Sequence, residues 1–266
     1  MTRAQVRDLV EGRKASATLV EALEVEGYAR AADWVYRHAN NYNGVPLDVV
    51  AEIHRQCVGL VWQVSPPPTR DRPGDWRTTG VTVSGVKASL PAAVPADLQT
   101  WSKSTRHGFS EHPIAHAASH HASFEQVHPF VDGNGRVGRL VLNFMLIQHG
   151  YPPAIILATR RTRYLQALAT ADRGNPNPLT EVVARAVGGT LSRFLIPKLA
   201  GEAKLVPLSA LASQCDYSAQ YLRKLAQAGR LRAVREGRLW LSSRAWLGEY
   251  LRTRDPRGGP PRRLAG

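Results

Sequence analysis

Twelve consecutive residues, His128-Pro129-Phe130-Val131-Asp132-Gly133-Asn134-Gly135-Arg136-Val137-Gly138-Arg139, constrain this chain more than any other stretch. Leu140, Val141, Phe144, Met145 and Ile147 follow at helical spacing, so the chain must turn out of a glycine-rich loop into a helix near Asn134. Backbone amides at a helix start have no intrahelical partner and carry partial positive charge, which makes them a cradle for phosphate. Gly133 and Gly135 let an anion approach that backbone without a Cβ in the way. Arg136 and Arg139, three apart, share a face of the first turn and can grip neighbouring phosphates. Asp132 precedes the turn, where it can hold a Mg²⁺ brought by a nucleotide. His128, ahead of the cradle, is suited to take a proton from a nucleophile. Burying such a set without a ligand would be costly, so the run reads as a site rather than as packing.

The run resembles the active-site motif of the Fic family, His-x-Phe-x-Asp/Glu-Gly-Asn-Gly-Arg-x-x-Arg, and every defined position matches. The approach segment, His121-x-x-Phe124-Glu125-x-Val127-His128, is similar to the helix that leads into the motif. The resemblance covers roughly the first three-quarters of the chain. It implies a helical domain that transfers AMP from Mg²⁺-bound ATP to a Ser, Thr or Tyr hydroxyl of a target protein. Under it His128 is the general base and Asp132 the metal-positioning carboxylate. The amides of Gly133, Asn134 and Gly135 stabilise the α-phosphate, Arg136 holds the β-phosphate region and Arg139 the γ-phosphate. Another phosphate donor or removal of AMP is the alternative within enzymes; a DNA-binding regulator that senses nucleotide without turnover is the alternative outside them.

Three further segments acquire meaning from the same resemblance. Pro73-Gly74-Asp75-Trp76-Arg77-Thr78 is similar to the segment before the family's target-positioning flap, with Val81–Leu90 as the flap; Val81–Val86, β-branched around glycine, reads as a short hairpin. An open strand edge there would hydrogen-bond a target backbone. Arg163-Tyr164-Leu165 is similar to the adenine-pocket helix, so Tyr164 is expected on the nucleotide, with Leu165 where a second tyrosine is common. The family is often inhibited by a glutamate before Gly or Asn on a separate helix. Glu11, before Gly12, is the expected inhibitory residue, and Glu26, before Gly27, the competitor.

His112, His116 and His120 share a helical face at spacing four, but no further ligands accompany them and they read as a packed polar stripe. Cys57 and Cys215 lie far apart and suggest neither a disulfide framework nor a zinc site, which fits a reducing cytoplasm. Neither a secretion segment nor a membrane-length apolar run is present, so no membrane partner is expected.

Helices are expected over residues 2–24, 27–38, 46–61, 95–108, 112–127, 134–149, 159–172 and 178–195, within a domain spanning 1–199. A linker at 200–206, a compact unit at 207–253 and an unfolded basic tail at 254–266 complete the chain. The fold class is thus mainly α, a Fic-type bundle with a short hairpin flap followed by a small winged-helix domain. Net charge is concentrated at the end. Residues 204–266 carry thirteen Lys/Arg against four Asp/Glu, so +9 of the chain's +14 lies there. That block suggests a polyanionic partner. Residues 208–251 resemble a winged helix-turn-helix of the excisionase/MerR type. Leu222 and Leu225 would face its core, Gln220, Arg223, Lys224 and Gln227 would face DNA, and Arg232, Arg235 and Arg238 would meet phosphates from a wing. Use of the same fold for protein docking, or in a homodimer, is left open.

Overall fold

The computed structural model describes residues 18–82, 88–106, 112–192 and 204–253. Within them the chain is mainly helical with one small antiparallel sheet, and it divides into compact units of residues 1–186 and 187–266. No helix among the described residues is long and apolar enough to cross a membrane.

The first unit begins with α1, Leu19–His38. Thr18 caps it in a capping box: its Oγ1 accepts from the Glu21 amide at 3.2 Å, and the Thr18 amide donates to Glu21 Oε2 at 2.9 Å. Sequence periodicity places one helix over 2–24 and a second from Gly27. Instead a helix starts at Leu19 and runs unbroken through Gly27. The glycine is there for proximity. A Cβ at Gly27 would stand 2.5 Å from the Cys57 carbonyl oxygen on α2, Leu47–Val64. Gly27, Ala31 and Val35 form the buried stripe of α1, and Val49, Val50, Ile53 and Cys57 answer from α2.

A 3₁₀ turn, Ala39–Asn41, links this pair, and another, Pro91–Ala93, leads into α3, Val94–Ser104. Then α4, Pro113–Val127, delivers the motif loop, and α5, Asn134–Gln148, leaves it. Val137, Leu140, Val141, Leu142, Phe144, Met145 and Leu146 are all buried, so α5 is apolar nearly all round. That is the pattern of a central helix, and it packs against α1, α2 and α4. Next come α6, Arg161–Ala171, and α7, Asn177–Thr190.

The second unit has its own core. Strand β1, Val206–Pro207, runs into α8, Leu208–Ala212; then come α9, Ala219–Gln227, β2, Val234–Glu236, β3, Leu239–Ser242, and α10, Arg244–Thr253. The strand order is β1-β3-β2, with Val206 opposite Ser242 and Arg235 opposite Trp240. Strands β2 and β3 form a hairpin turning at Gly237 with φ +56°, in the stretch where a wing is expected. Two-residue β1 is too short to show a period and has no signature in the sequence. Residues 1–17 with Glu11, 83–87 of the expected flap, 200–203 of the linker and 254–266 of the tail lie outside the described residues.

Candidate active site

The site is built where α4 ends and α5 begins. His128 stops α4 by taking left-handed backbone angles, φ 51° and ψ 62°, while its amide still donates to Phe124 O. Such angles are uncommon for a residue with a Cβ. The imidazole Nδ1 lies 3.2 Å from Glu125 O. A carbonyl can only accept, so Nδ1 carries the proton and Nε2 is left as the basic nitrogen. Burial holds the His128 pKa below the ordinary imidazole value, and the nearby Arg77 cation pushes the same way.

Between the helices the loop is pinned from within. Phe130 is fully buried, stacked on His54 with ring centroids 3.7 Å apart. The Asn134 side chain turns into the loop, Oδ1 accepting from Phe130 N–H at 2.9 Å and Nδ2 donating to Phe130 O at 2.7 Å. Asn134 therefore offers a ligand only its backbone amide. His54 accepts from Gly74 N–H through Nδ1 at 2.8 Å, which leaves Nε2–H to donate to Asp132 O at 3.1 Å. It is a neutral buried strut between α2 and the loop, its pKa pushed down to about 4, chiefly by burial.

Gly133 takes φ +85°, a conformation that favours glycine, and a Cβ there would press on Val58 Cγ1 at 3.0 Å. The amides of Arg136 and Val137 turn back to Gly133 O. Gly133 has no side chain to cap α5, and no side-chain hydrogen bond caps its opening turn. A cleft of about 430 Å³ reaches Asp132 and is walled by Trp62, Pro66, Pro67, Thr79 and Val81.

The two motif arginines have different surroundings. Arg136 donates to Asp132 Oδ2 at 2.9 Å and to Glu24 Oε1, on α1, at 3.0 Å. Arg139 lies among the Tyr28 and Tyr164 hydroxyls and Glu125. Tyr164, expected to face the nucleotide, is only 5% exposed; its hydroxyl is 2.7 Å from His121 Nε2. Its ring offers little open face, and its contacts are with Arg139 and His121. Burial pushes Glu125 up to about 7 and His121 down to about 3, and raises Tyr28 and Tyr164. A Cβ at Gly138 would run into the Glu125 carboxylate, so glycine there leaves that side chain its place.

Sequence reasoning misses the acid on Arg136. Glu26 is occupied by Arg30 on the exposed side of α1 at 2.5 Å, while Glu24, two residues earlier, faces inward to the motif. Only the packing of α1 on α5 distinguishes the two. The three histidines bond backbone: His112 Nδ1 caps α4 through Ile114 N–H, and His116 and His120 bond Thr105 O and Ser104 O. No group of three or more potential ligands occurs among the described residues.

Residues 44–146, from the start of α2 to near the end of α5, match the family model described as the Fic/DOC family. These residues form a Fic/DOC domain. The protein adenylyltransferase Fic of Drosophila ananassae is 30% identical over 199 residues, and that of Drosophila virilis 31%. Either alignment takes in 73% of this chain, but the chain spans only about two-fifths of the relatives' length, 39% and 40%. Among solved structures, Fic-1 from C. elegans superposes with a TM-score of 0.63 at 27% identity, over 73% of this chain and 58% of that one. A Fic family protein from Desulfovibrio desulfuricans G20 shares the fold at TM-score 0.54 and 19% identity, over 91% of this chain and 81% of its own. The Fic domain contains the motif loop, its two helices, His54 and Arg77; Glu24 and Tyr28 reach it from outside the matched residues.

Proposed function

We propose that this protein transfers AMP from ATP to a hydroxyl side chain of a target protein, with the Fic domain as catalyst. The observation that carries the reading is a basic imidazole nitrogen, His128 Nε2, in one loop with uncapped helix-start amides and two arginines. The target hydroxyl oxygen bonds to the α-phosphorus, the bond to the β-phosphate bridging oxygen breaks, and pyrophosphate leaves. His128 Nε2 takes the hydroxyl proton. The amides of Asn134 and Gly135 meet the negative charge that grows on the α-phosphate, as an oxyanion hole does. Arg136 and Arg139 hold the outer phosphates, and Tyr164 and Tyr28 steady Arg139 from behind. Asp132 suits a Mg²⁺ that arrives with the nucleotide, since that ion takes one or two carboxylates and otherwise phosphate and water oxygens. When bound, it would offset phosphate charge and help pyrophosphate leave.

The test is intact-mass analysis of a cell lysate incubated with the protein, ATP and Mg²⁺. AMP should be added to a protein, and His128→Ala should lower the rate on the order of 10²–10⁴-fold. Parental rates in His128→Ala would remove His128 from the mechanism. Nucleotide binding with no modified protein would favour a sensor. A cytoplasmic setting is part of the same reading, and thiols rather than a disulfide at Cys57 and Cys215 are consistent with it.

For the second unit we propose duplex DNA as partner, through a winged-helix surface. Leu222 and Leu225 of α9 are buried, which turns Gln220, Arg223, Lys224 and Gln227 outward on one helix. Arg235 and Arg238 are exposed on the β2–β3 hairpin, whereas Arg232 stacks over Trp246 at 4.3 Å. Duplex binding should fall steeply with salt, and Lys224→Ala should reduce the log–log salt slope by about 1. No binding even at low salt would exclude the partner.

A further inference from the structure

Arg77 is the only Lys, Arg, Asp or Glu among the described residues that is fully buried, with 2% of its surface exposed. No carboxylate among those residues pairs with it. Its guanidinium is spread over backbone carbonyls instead: Nε donates to His128 O at 2.6 Å, one terminal nitrogen to Thr79 O at 3.0 Å, and the other to Ser89 O at 2.6 Å and Val127 O at 3.3 Å. The Arg77 amide adds a bond to Pro129 O at 2.9 Å. Val127 and His128 form the C-terminal end of α4, where the helix dipole is negative, so the buried charge is offset by oriented peptides rather than by an ion. Ser89 lies near the end of the segment read as the target-positioning flap, Val81–Leu90, and Thr79 lies two residues before its start. One side chain thus ties the approach to that segment and its far end to the backbone of the proposed base.

We propose that Arg77 is a positioning residue that fixes the separation between His128 and the segment that seats the target, and so sets where the target hydroxyl meets Nε2. The proposal rests on the transferase reading above. It requires the planar, many-donor guanidinium. A lysine ammonium keeps the charge but cannot fan across acceptors on two sides of the site. Misplacement of reacting groups by about 1 Å costs on the order of 10²-fold in rate. Arg77→Lys and Arg77→Met should therefore each lower kcat for a protein target by about that factor, with ATP affinity unchanged, because neither the cradle amides nor Arg136 and Arg139 touch Arg77.

NMR titration of the His128 imidazole, which needs no turnover, supplies the second readout. Burial and, beside it, the Arg77 cation lower its pKa, while the Glu125 carbonyl and Asp132 raise it. The midpoint should rise in Arg77→Met and stay near the parental value in Arg77→Lys, separating charge from geometry. In the parent, the Arg77 Nε–H resonance should be protected from exchange. Should Arg77→Met fail to fold, Arg77→Lys and the parental resonance still decide. Folded Arg77 variants with parental kcat and an unmoved His128 midpoint would overturn the proposal, as would a rapidly exchanging Nε–H. A parent that binds ATP but modifies no protein would instead overturn the transferase reading, and the titration would still report on the clamp.

Discussion

His128 does its work with a nitrogen whose state is set by backbone. Because Nδ1–H is committed to Glu125 O and burial disfavours the cation, Nε2 stays unprotonated to a lower pH than a free imidazole would allow. The acid limb of the pH–rate profile should accordingly fall below the ordinary imidazole pKa of about 6.5. A limb at or above that value would mean that another group limits the reaction. Glu24 supplies a second residue-scale expectation. Its ion pair with Arg136 competes with phosphate, yet Glu24 is 45% exposed, so solvent limits the contact to less than about 1 kcal/mol. Glu24→Gln should tighten ATP binding about threefold by calorimetry; unchanged or weaker binding would show that the pair does not oppose the nucleotide. The motif itself was legible because its chemistry is written in consecutive residues. Glu24 and His54 were not, because each reaches the site from a distant helix and carries no local pattern; Arg77 was legible only as part of the segment before the flap, and its bonds to the end of α4 were not.

At the level of elements, glycine marks three different things. Gly133 serves a positive φ, Gly138 gives way to Glu125, and Gly27 allows α1 and α2 to touch. Gly27→Ala should cost about 1–3 kcal/mol, because the obstructing atom is a helix carbonyl that cannot swing aside. Around Gly59, inside α2, no neighbouring atom lies within 4 Å of where an alanine methyl would stand. Gly59→Ala should therefore stabilise by up to about 1 kcal/mol through helix propensity alone. Chemical denaturation of both variants checks the pair; equal effects would refute the close crossing of α1 and α2. Periodicity places α4 and α5 to within a residue at each end and the start of α2 as well, while α2 runs three residues beyond its expected end, since each buries one face or all faces. It split α1 at Gly27 because a glycine in a close crossing and a glycine that ends a helix look alike in sequence. The capping box at Thr18 was the available signal for the true start.

For the whole molecule, the buried titratable groups couple stability to pH. In the unfolded chain His54 and His121 gain protons below about 6.5, whereas the folded chain keeps them neutral down to about 4 and about 3. Glu125 acts oppositely, protonated in the fold up to about 7 against an ordinary 4.5. Between those ordinary values the unfolded state binds two extra protons and the folded state one. Stability should thus fall on acidification from pH 6.5 to 4.5 by about 1.4 kcal/mol per unit, and Glu125→Gln should steepen the loss. Urea denaturation across that range would contradict this if stability held level or rose. The transferase reading turns on which phosphorus atom is attacked. ATP radiolabelled at either the α- or the γ-phosphate, incubated with the protein, Mg²⁺ and lysate, reads this out. Label should reach protein from the α position alone and vanish in His128→Ala; label from the γ position, or equal α labelling in that variant, would contradict it.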